Sequence, residues 1–303
     1  MHGGRRYHSR PTLLHSCRRA TVSDSTMGMP IRVGFVEHDG ESIYFETVGD
    51  SSGPVIVLTH GMGGNHMIWY QQVAYFAPAC RVITWDQRGF GRSTNNSGNA
   101  SPQKSATDLA TVLQHLEVET AHVIGQSLGG WASLGFALRN PARVRSLVLS
   151  DTVAGIHSGR IEGAFREHAA RAASASMQQQ AAPIATPFDY HPALWSGFSA
   201  RNSAQAFLYN QISSVSPAPP VATLSRQLPQ SFWPSDELAR MAIPTLFVVG
   251  EHDDIFPPAL IREAASQITG ATVREIPLAG HSPYFETPDE WNRTVRDFIK
   301  LHG

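Results

Sequence analysis

The sequence predicts an α/β fold: a doubly wound, mostly parallel sheet with a lid of short helices inserted after the sixth strand. Three observations predict it. Short runs at Val55–Thr59, Arg81–Trp85, His122–Gly125, Ser146–Leu149, Thr245–Val249 and Thr272–Ile276 read as strands apolar on both faces, as the central strands of parallel sheets are. Stretches of helical period alternate with them, which is the βαβ pattern of a parallel sheet covered on both sides. Between about Val153 and Ser235 no strand-like run occurs, and so long a structureless loop inside a compact domain is implausible.

Each element follows from its residues. Ile31–His38 and Ser42–Val48 flank Asp39-Gly40, a strong hairpin signal. Leu109, Val112, Leu113 and Leu116 share one helix face, and Leu260, Ile261, Ala264, Ala265 and Ile268 share another. The last helix carries Trp291, Val295, Phe298 and Ile299 on its apolar face, and Thr287-Pro288-Asp289-Glu290 predicts a capping box at its start. The expected organisation is a basic, disordered tail over residues 1–29, a first part of the main domain over 30–152, a helical cap over 153–235 and a second part over 236–303.

Composition bounds the function. The chain of 303 residues is 42% hydrophobic and only 16% charged, with a net charge of −1. It has the apolar content to bury a sizeable core, and nothing suggests an electrostatic grip on nucleic acid or anionic lipid. No apolar stretch approaches the ~18 residues a membrane span needs. Cys17 and Cys80 are too few for a disulfide framework, and no Cys/His spacing suggests structural zinc. The tail carries Arg5, Arg6, Arg10, Arg18 and Arg19 against Asp24 and lacks the apolar segment of a secretory signal. It reads as disordered or as sequence upstream of a start at Met27 or Met29, with an organelle transit peptide as the alternative; the expected location is cytoplasmic.

The most informative segment is His122-Val123-Ile124-Gly125-Gln126-Ser127-Leu128-Gly129-Gly130, a strand followed by G-x-S-x-G and then a helix. Its glycines allow strand and helix to approach around a sharp turn that lifts the Ser127 hydroxyl out at the sheet edge. A serine needs a base. Of 14 histidines, His281 in Gly280-His281-Ser282-Pro283 lies on the loop between the last strand and the last helix. His122 is expected to be buried in its strand, and His115 falls on a helix. A third group must orient the imidazole. Asp253, directly after a strand, is preferred over its neighbours Glu251 and Asp254 and over Asp151, which follows the sixth strand. The glycine-rich turn His60-Gly61-Met62-Gly63-Gly64 is placed to aim a backbone N–H, that of Met62, beside the Leu128 N–H at a developing oxyanion.

Together these residues resemble the α/β-hydrolase fold family over roughly residues 31–300. Trp85-Asp86-Gln87-Arg88-Gly89-Phe90-Gly91-Arg92-Ser93 is similar to the family's D-x-R-G-x-G-x-S signature, structural more often than catalytic in relatives. Gly125 through Val148-Leu149 to Asp151-Thr152 is similar to enol-lactonases and small carboxylesterases. The resemblance implies a Ser127–His281–Asp253 triad, no metal and no organic cofactor. It implies no particular substrate, because the fold hosts many chemistries. Ser127 argues against dehalogenases and epoxide hydrolases of this fold, which carry Asp at that position.

The expected activity is two-step hydrolysis of a carboxylic ester or lactone, with loss of activity at acid pH as the base is protonated. Carbon–carbon bond hydrolases and cofactor-free perhydrolases share the triad and remain alternatives, as does a non-catalytic ligand receptor. Residues 172–235 hold eight aromatic residues and three charges, Asp189, Arg201 and Arg226. That composition suits a pocket for an apolar or aromatic ester and equally suits simple packing of the insertion. Arg201 is either a partner for a substrate carboxylate or a surface residue.

Overall fold

The computed structural model describes residues 1, 29–49, 52–163, 166–167, 187–215 and 218–303. The expected tail, apart from its two ends, and part of the expected cap lie outside these residues. Eight strands form one sheet in the order β1-β2-β4-β3-β5-β6-β7-β8. They are β1 (Ile31–His38), β2 (Glu41–Gly49), β3 (Val55–Thr59), β4 (Arg81–Trp85), β5 (Ala121–Gln126), β6 (Val144–Ser150), β7 (Thr245–Gly250) and β8 (Thr272–Ile276). β1 and β2 form the expected hairpin, with Asp39 and Gly40 both at positive φ, the backbone that twists a two-residue turn to match its strands. β2 also pairs antiparallel with β4, and every other pairing is parallel.

Alternate residues of the central strands feed two separate cores. Val57, Ile83, Val123, Leu147, Leu149, Phe247 and Val249 pack on one face, where α2 (Pro102–His115), α3 (Leu128–Arg139) and α8 (Pro258–Ala265) lie. Ile56, Leu58, Val82, Ile124, Val148, Leu246 and Val248 pack on the other, beneath α1 (Tyr70–Phe76) and α10 (Pro288–Leu301). Strands buried on both faces are apolar throughout, which is why they read as runs.

Between β6 and β7 the described residues hold α4 (Ser196–Arg201), α5 (Ser203–Ser214), α6 (Val221–Gln227) and α7 (Ser235–Arg240). Phe198, Tyr209 and Ile212 bury into the second core, whereas Phe188, Tyr190 and Phe207 are exposed. The aromatic residues thus divide between packing and surface.

Two local readings are corrected. β8 is not a central strand. It pairs only with β7, and Thr272, Arg274 and Glu275 are exposed on it. Glu275 meets Arg262 of α8 at 2.8 Å, and charge on an edge strand discourages further pairing. The capping box at α10 does not form. Thr287 makes no side-chain cap, its hydroxyl turning back to Pro283 O at 3.4 Å, because the short helix α9 (Pro283–Glu286) immediately precedes it.

One buried ion pair holds the loop after β4 against α2. Arg88 Nε and Nη2 donate to the two carboxylate oxygens of Asp108 at 2.6 and 2.5 Å, and His38 Nδ1 lies 2.7 Å from Asp108 Oδ1. Arg88 is 1% exposed and Asp108 fully buried. Removing one partner strands a buried charge, so Arg88→Met is expected to destabilise the protein by about 3–5 kcal/mol. Urea denaturation checks this as a fall in midpoint at unchanged slope.

Candidate active site

The carboxyl ends of β3 to β8 open on one rim, where a doubly wound sheet places its ligands. β5 delivers Ser127 there. Its backbone sits at φ 50°, ψ −120°, a conformation that costs a non-glycine residue of order 1–3 kcal/mol. The neighbours hold it. Ser127 N–H donates to Ser150 O at 2.9 Å, while Ser127 O accepts from Gly130 N–H at 2.9 Å and from the Thr152 hydroxyl at 2.7 Å. A Cβ at Gly125 would press on Gly129 O and Ser133 Oγ at 2.5 Å, and one at Gly129 would overlap Thr59 O. Only glycine lets α3 start this close to β5 and β3.

β7 ends in the loop carrying Asp253, and the loop after β8 carries His281. The two side chains meet, His281 Nδ1 lying 2.9 Å from Asp253 Oδ2. Asp253 Oδ1 accepts the N–H groups of Ile255 at 2.8 Å and Phe256 at 2.9 Å, which fixes the carboxylate. Both residues are buried. The His281 backbone is tied to the serine turn by Gln126 Nε2, which donates to His281 O at 3.0 Å. Among the described residues, the Ser127 hydroxyl and the His281 ring make no hydrogen bond to each other.

The rival acids are placed otherwise. Glu251 Oε2 accepts from Leu278 N–H at 3.2 Å, and Asp254 is exposed. Asp151 is fully buried beside the pair, but its oxygens face elsewhere: Oδ2 accepts from the Ser150 hydroxyl at 2.7 Å and Oδ1 from Gly250 N–H at 2.9 Å. Burial, and then the Asp253 charge, push the Asp151 carboxyl well above the usual carboxylate range. One ligand atom from each of Asp151, Asp253 and His281 lies within 4.8 Å of the others. A cation there would have to displace the donors that already occupy the carboxylate oxygens.

The turn after β3 is built around His60. Gln87 N–H donates to His60 Nε2 at 3.1 Å, so Nδ1 carries the proton and donates to Gly61 O at 2.8 Å. Burial pushes the ring's pKa down and keeps it neutral. Gly64 N–H closes the turn on Gly61 O at 3.1 Å, leaving Met62 at its tip. A Cβ at Gly61 would lie 3.0 Å from Ser127 Cβ, so this turn and the serine turn are in contact. Leu128 begins α3, and the first N–H groups of a helix have no intrahelical acceptor. Asp86 serves structure, as its signature implies: it accepts from His66 N–H at 2.6 Å and Arg92 N–H at 2.8 Å.

Three contributors escaped the sequence reading. Glu286 of α9 accepts from Gly280 N–H at 2.9 Å and Ser282 N–H at 3.2 Å with Oε1, and from Trp195 N–H at 2.9 Å with Oε2. Trp195 stacks on His252, ring centroids 4.2 Å apart, and the Arg201 guanidinium carbon lies 4.8 Å from the Trp195 ring centroid. This is the contact that the structure gives Arg201. His191 accepts from Ala193 N–H at 3.1 Å, and burial, with the charge of His281, lowers its pKa to about 4. The signal for Glu286 was an acid directly after the apolar run Pro283-Tyr284-Phe285 and before a helix start.

Burial pushes the Glu286 carboxyl up to about 7, against the opposing pull of three N–H groups and His281. An acid whose pKa is higher folded than unfolded contributes stability below its unfolded value and loses it as pH rises through the folded one. Unfolding free energy is therefore expected to fall by roughly 3 kcal/mol between about pH 4.5 and 7 from this group. Denaturant titrations across that window check it, and Glu286→Gln is expected to flatten the slope.

Comparison with known proteins agrees with this architecture. Residues 54–288 match the family model described as alpha/beta hydrolase fold. The "Putative carbamate hydrolase RutD" of Azorhizobium caulinodans is 31% identical over 86% of this chain and 96% of its own length. The "3-oxoadipate enol-lactonase 1" of Acinetobacter baylyi is 27% identical, over 86% and 94%. A thermophilic esterase from Thermogutta terrifontis superposes with a TM-score of 0.70 at 28% identity, covering 91% of this chain and all of that one. With its doubly wound sheet and a serine turn at the carboxyl end of β5, the chain belongs to the α/β-hydrolase fold family.

Proposed function

We propose that the protein is a serine hydrolase of a carboxylic ester or lactone, working through Ser127, His281 and Asp253. The observation that carries the reading is the His281–Asp253 hydrogen bond on the rim where the strained Ser127 turn ends. In the proposed mechanism the Ser127 hydroxyl attacks the substrate carbonyl and His281 Nε2 takes its proton. Asp253 accepts from His281 Nδ1–H and stabilises the imidazolium. The N–H groups of Met62 and Leu128 hold the tetrahedral oxyanion. His281 then protonates the leaving alcohol, and water repeats the sequence on the acyl-enzyme. Catalytic hydrogen bonds often close only when substrate is bound, so the open Ser127–His281 contact is compatible with this role.

The relatives support an acyl carbonyl as the reacting group. A carbamate, an enol-lactone and an ester all present a carbonyl carbon bearing a heteroatom leaving group. On this reading the helices between β6 and β7 act as a cap over the rim, and the aromatic-rich, charge-poor composition of residues 172–235 favours an uncharged ester. No described helix is long and apolar enough to cross a membrane, and a small-molecule substrate reaching the rim suffices.

A fluorophosphonate probe is expected to label wild-type protein at Ser127 and to leave Ser127→Ala unlabelled, with kcat lowered on the order of 10⁶-fold. A folded wild type that takes no label would favour the receptor reading. A panel of neutral and anionic esters, lactones, amides and thioesters then sorts substrates, and strong preference for anionic esters would overturn the apolar pocket.

The two carboxyls separate by mutation. Asp253→Asn is expected to cost about 10⁴-fold in kcat. Asp151→Asn is expected to stay within roughly tenfold of wild type, since Asp151 bonds Ser150 and Gly250 rather than the imidazole. The reverse order in steady-state kinetics would transfer the acid role to Asp151.

A further inference from the structure

One carboxylate joins two parts of the molecule that are 91 and 6 residues from it in sequence. Oε1 of Glu286 accepts the N–H groups on either side of His281, those of Gly280 and Ser282, and Oε2 accepts the Trp195 N–H at the start of α4. We propose that Glu286 is a positioning residue that clasps the inserted helices to the His281 loop, so that the seating of the insertion and the direction of the imidazole are set by one side chain. The proposal rests on the hydrolase reading for its catalytic consequence and on the hydrogen bonds alone for its structural one.

Two further observations support the clasp. A Cβ at Gly280 would come within 2.8 Å of Trp195 N and 3.2 Å of Trp195 Cα, so the insertion backbone lies directly against the loop, and a side chain there would push it off. The Trp195 indole also stacks on His252, whose N–H donates to Ala279 O at 2.8 Å and whose next residue is Asp253. The insertion therefore bears on the loops of both the proposed acid and the proposed base at the same residue. The carboxyl group is itself buried, 6% exposed, and its three N–H bonds leave little freedom for the groups it holds. Tyr209 of α5 bonds the Ser282 hydroxyl separately, at 2.9 Å, so loss of the clasp does not free the insertion altogether.

The test removes the insertion's half of the clasp and reads the other half. Trp195 has φ −64° and ψ 134°, within proline's range, so Trp195→Pro deletes the N–H and sets its ring against Glu286 Oε2, breaking the bond, while Trp195→Ala deletes only the indole. Relative to Trp195→Ala, Trp195→Pro is expected to speed amide exchange at Gly280 and Ser282 by about tenfold. It is also expected to lower kcat on the best ester by about ten- to a hundredfold, with a smaller change in KM, as a misdirected base would. Equal exchange at both amides in the two variants would overturn the clasp. Faster exchange with equal kcat would overturn the link to His281. Glu286→Gln, which keeps the shape but only one acceptor oxygen, is the second variant. Exchange should rise at Trp195 or at the Gly280/Ser282 pair, and unchanged exchange at all three would also overturn the clasp. The exchange measurement needs no turnover. A wild type that hydrolyses no ester would sink the hydrolase reading, and exchange would still decide for or against the clasp.

Discussion

The backbone of Ser127 is held at a positive φ that an L-residue avoids, and much of the structure is arranged to hold it there. β5 brings the chain to the turn, and β6 captures it, Ser150 O accepting the Ser127 N–H in continuation of the parallel ladder. α3 leaves at once, its start pressed against the ends of β3 and β5 where the glycines at 125 and 129 leave room. Thr152, just past β6, closes the site from the far side by donating to Ser127 O. The strain is supported because three strands and a helix share its cost. The same crowding brings the Gly61 turn against Ser127, so the proposed oxyanion donors arrive with the proposed nucleophile.

Behind this turn lies a group of acids that the sheet brings together from three strands. Asp151, Asp253 and Glu286 are all buried, and each is treated differently. Asp253 has two backbone N–H groups and the His281 ring. Asp151 is pushed toward the neutral form by burial and by Asp253. Glu286 is raised to about 7, with three N–H groups opposing its burial. In a medium of low dielectric, two neighbouring carboxylates do not both ionise cheaply, so environment divides their roles. The backbone donors, more than the distance between acids, decide which oxygen turns to the imidazole.

The helices between β6 and β7 rest on the sheet through both apolar packing and a few directed bonds. Phe198, Tyr209 and Ile212 enter the core shared with α10, while Asn65 Nδ2 donates to Ile212 O at 2.8 Å and ties the turn after β3 to α5. Packing sets where these helices sit, and the directed bonds at Trp195, Tyr209 and Asn65 fix them against the loops after β3 and β8.

The strands could be located from the residues alone because burial on both faces writes itself as an uninterrupted apolar run: β3 and β4 fall where those runs lie, with the hairpin turn at Asp39-Gly40. The serine turn was legible for a similar reason, since close approach demands glycine at fixed spacing. β8 was misread as apolar on both faces although Thr272–Ile276 carries Arg274 and Glu275, charges that fit the edge position its pairing gives it. Asp253 stood out from its neighbours in the sequence by position only; the donors at Ile255 and Phe256 that aim it exist only once the loop has folded. The acid at 286 was visible beside an apolar run, but its partnership with Trp195 was not, because a carboxylate gathering N–H groups from distant segments depends on where the chain returns in space. Local periodicity and steric need for glycine are properties of neighbouring residues and survive in the linear order. Hydrogen-bond partnership across 91 residues does not, and tertiary structure alone decided it.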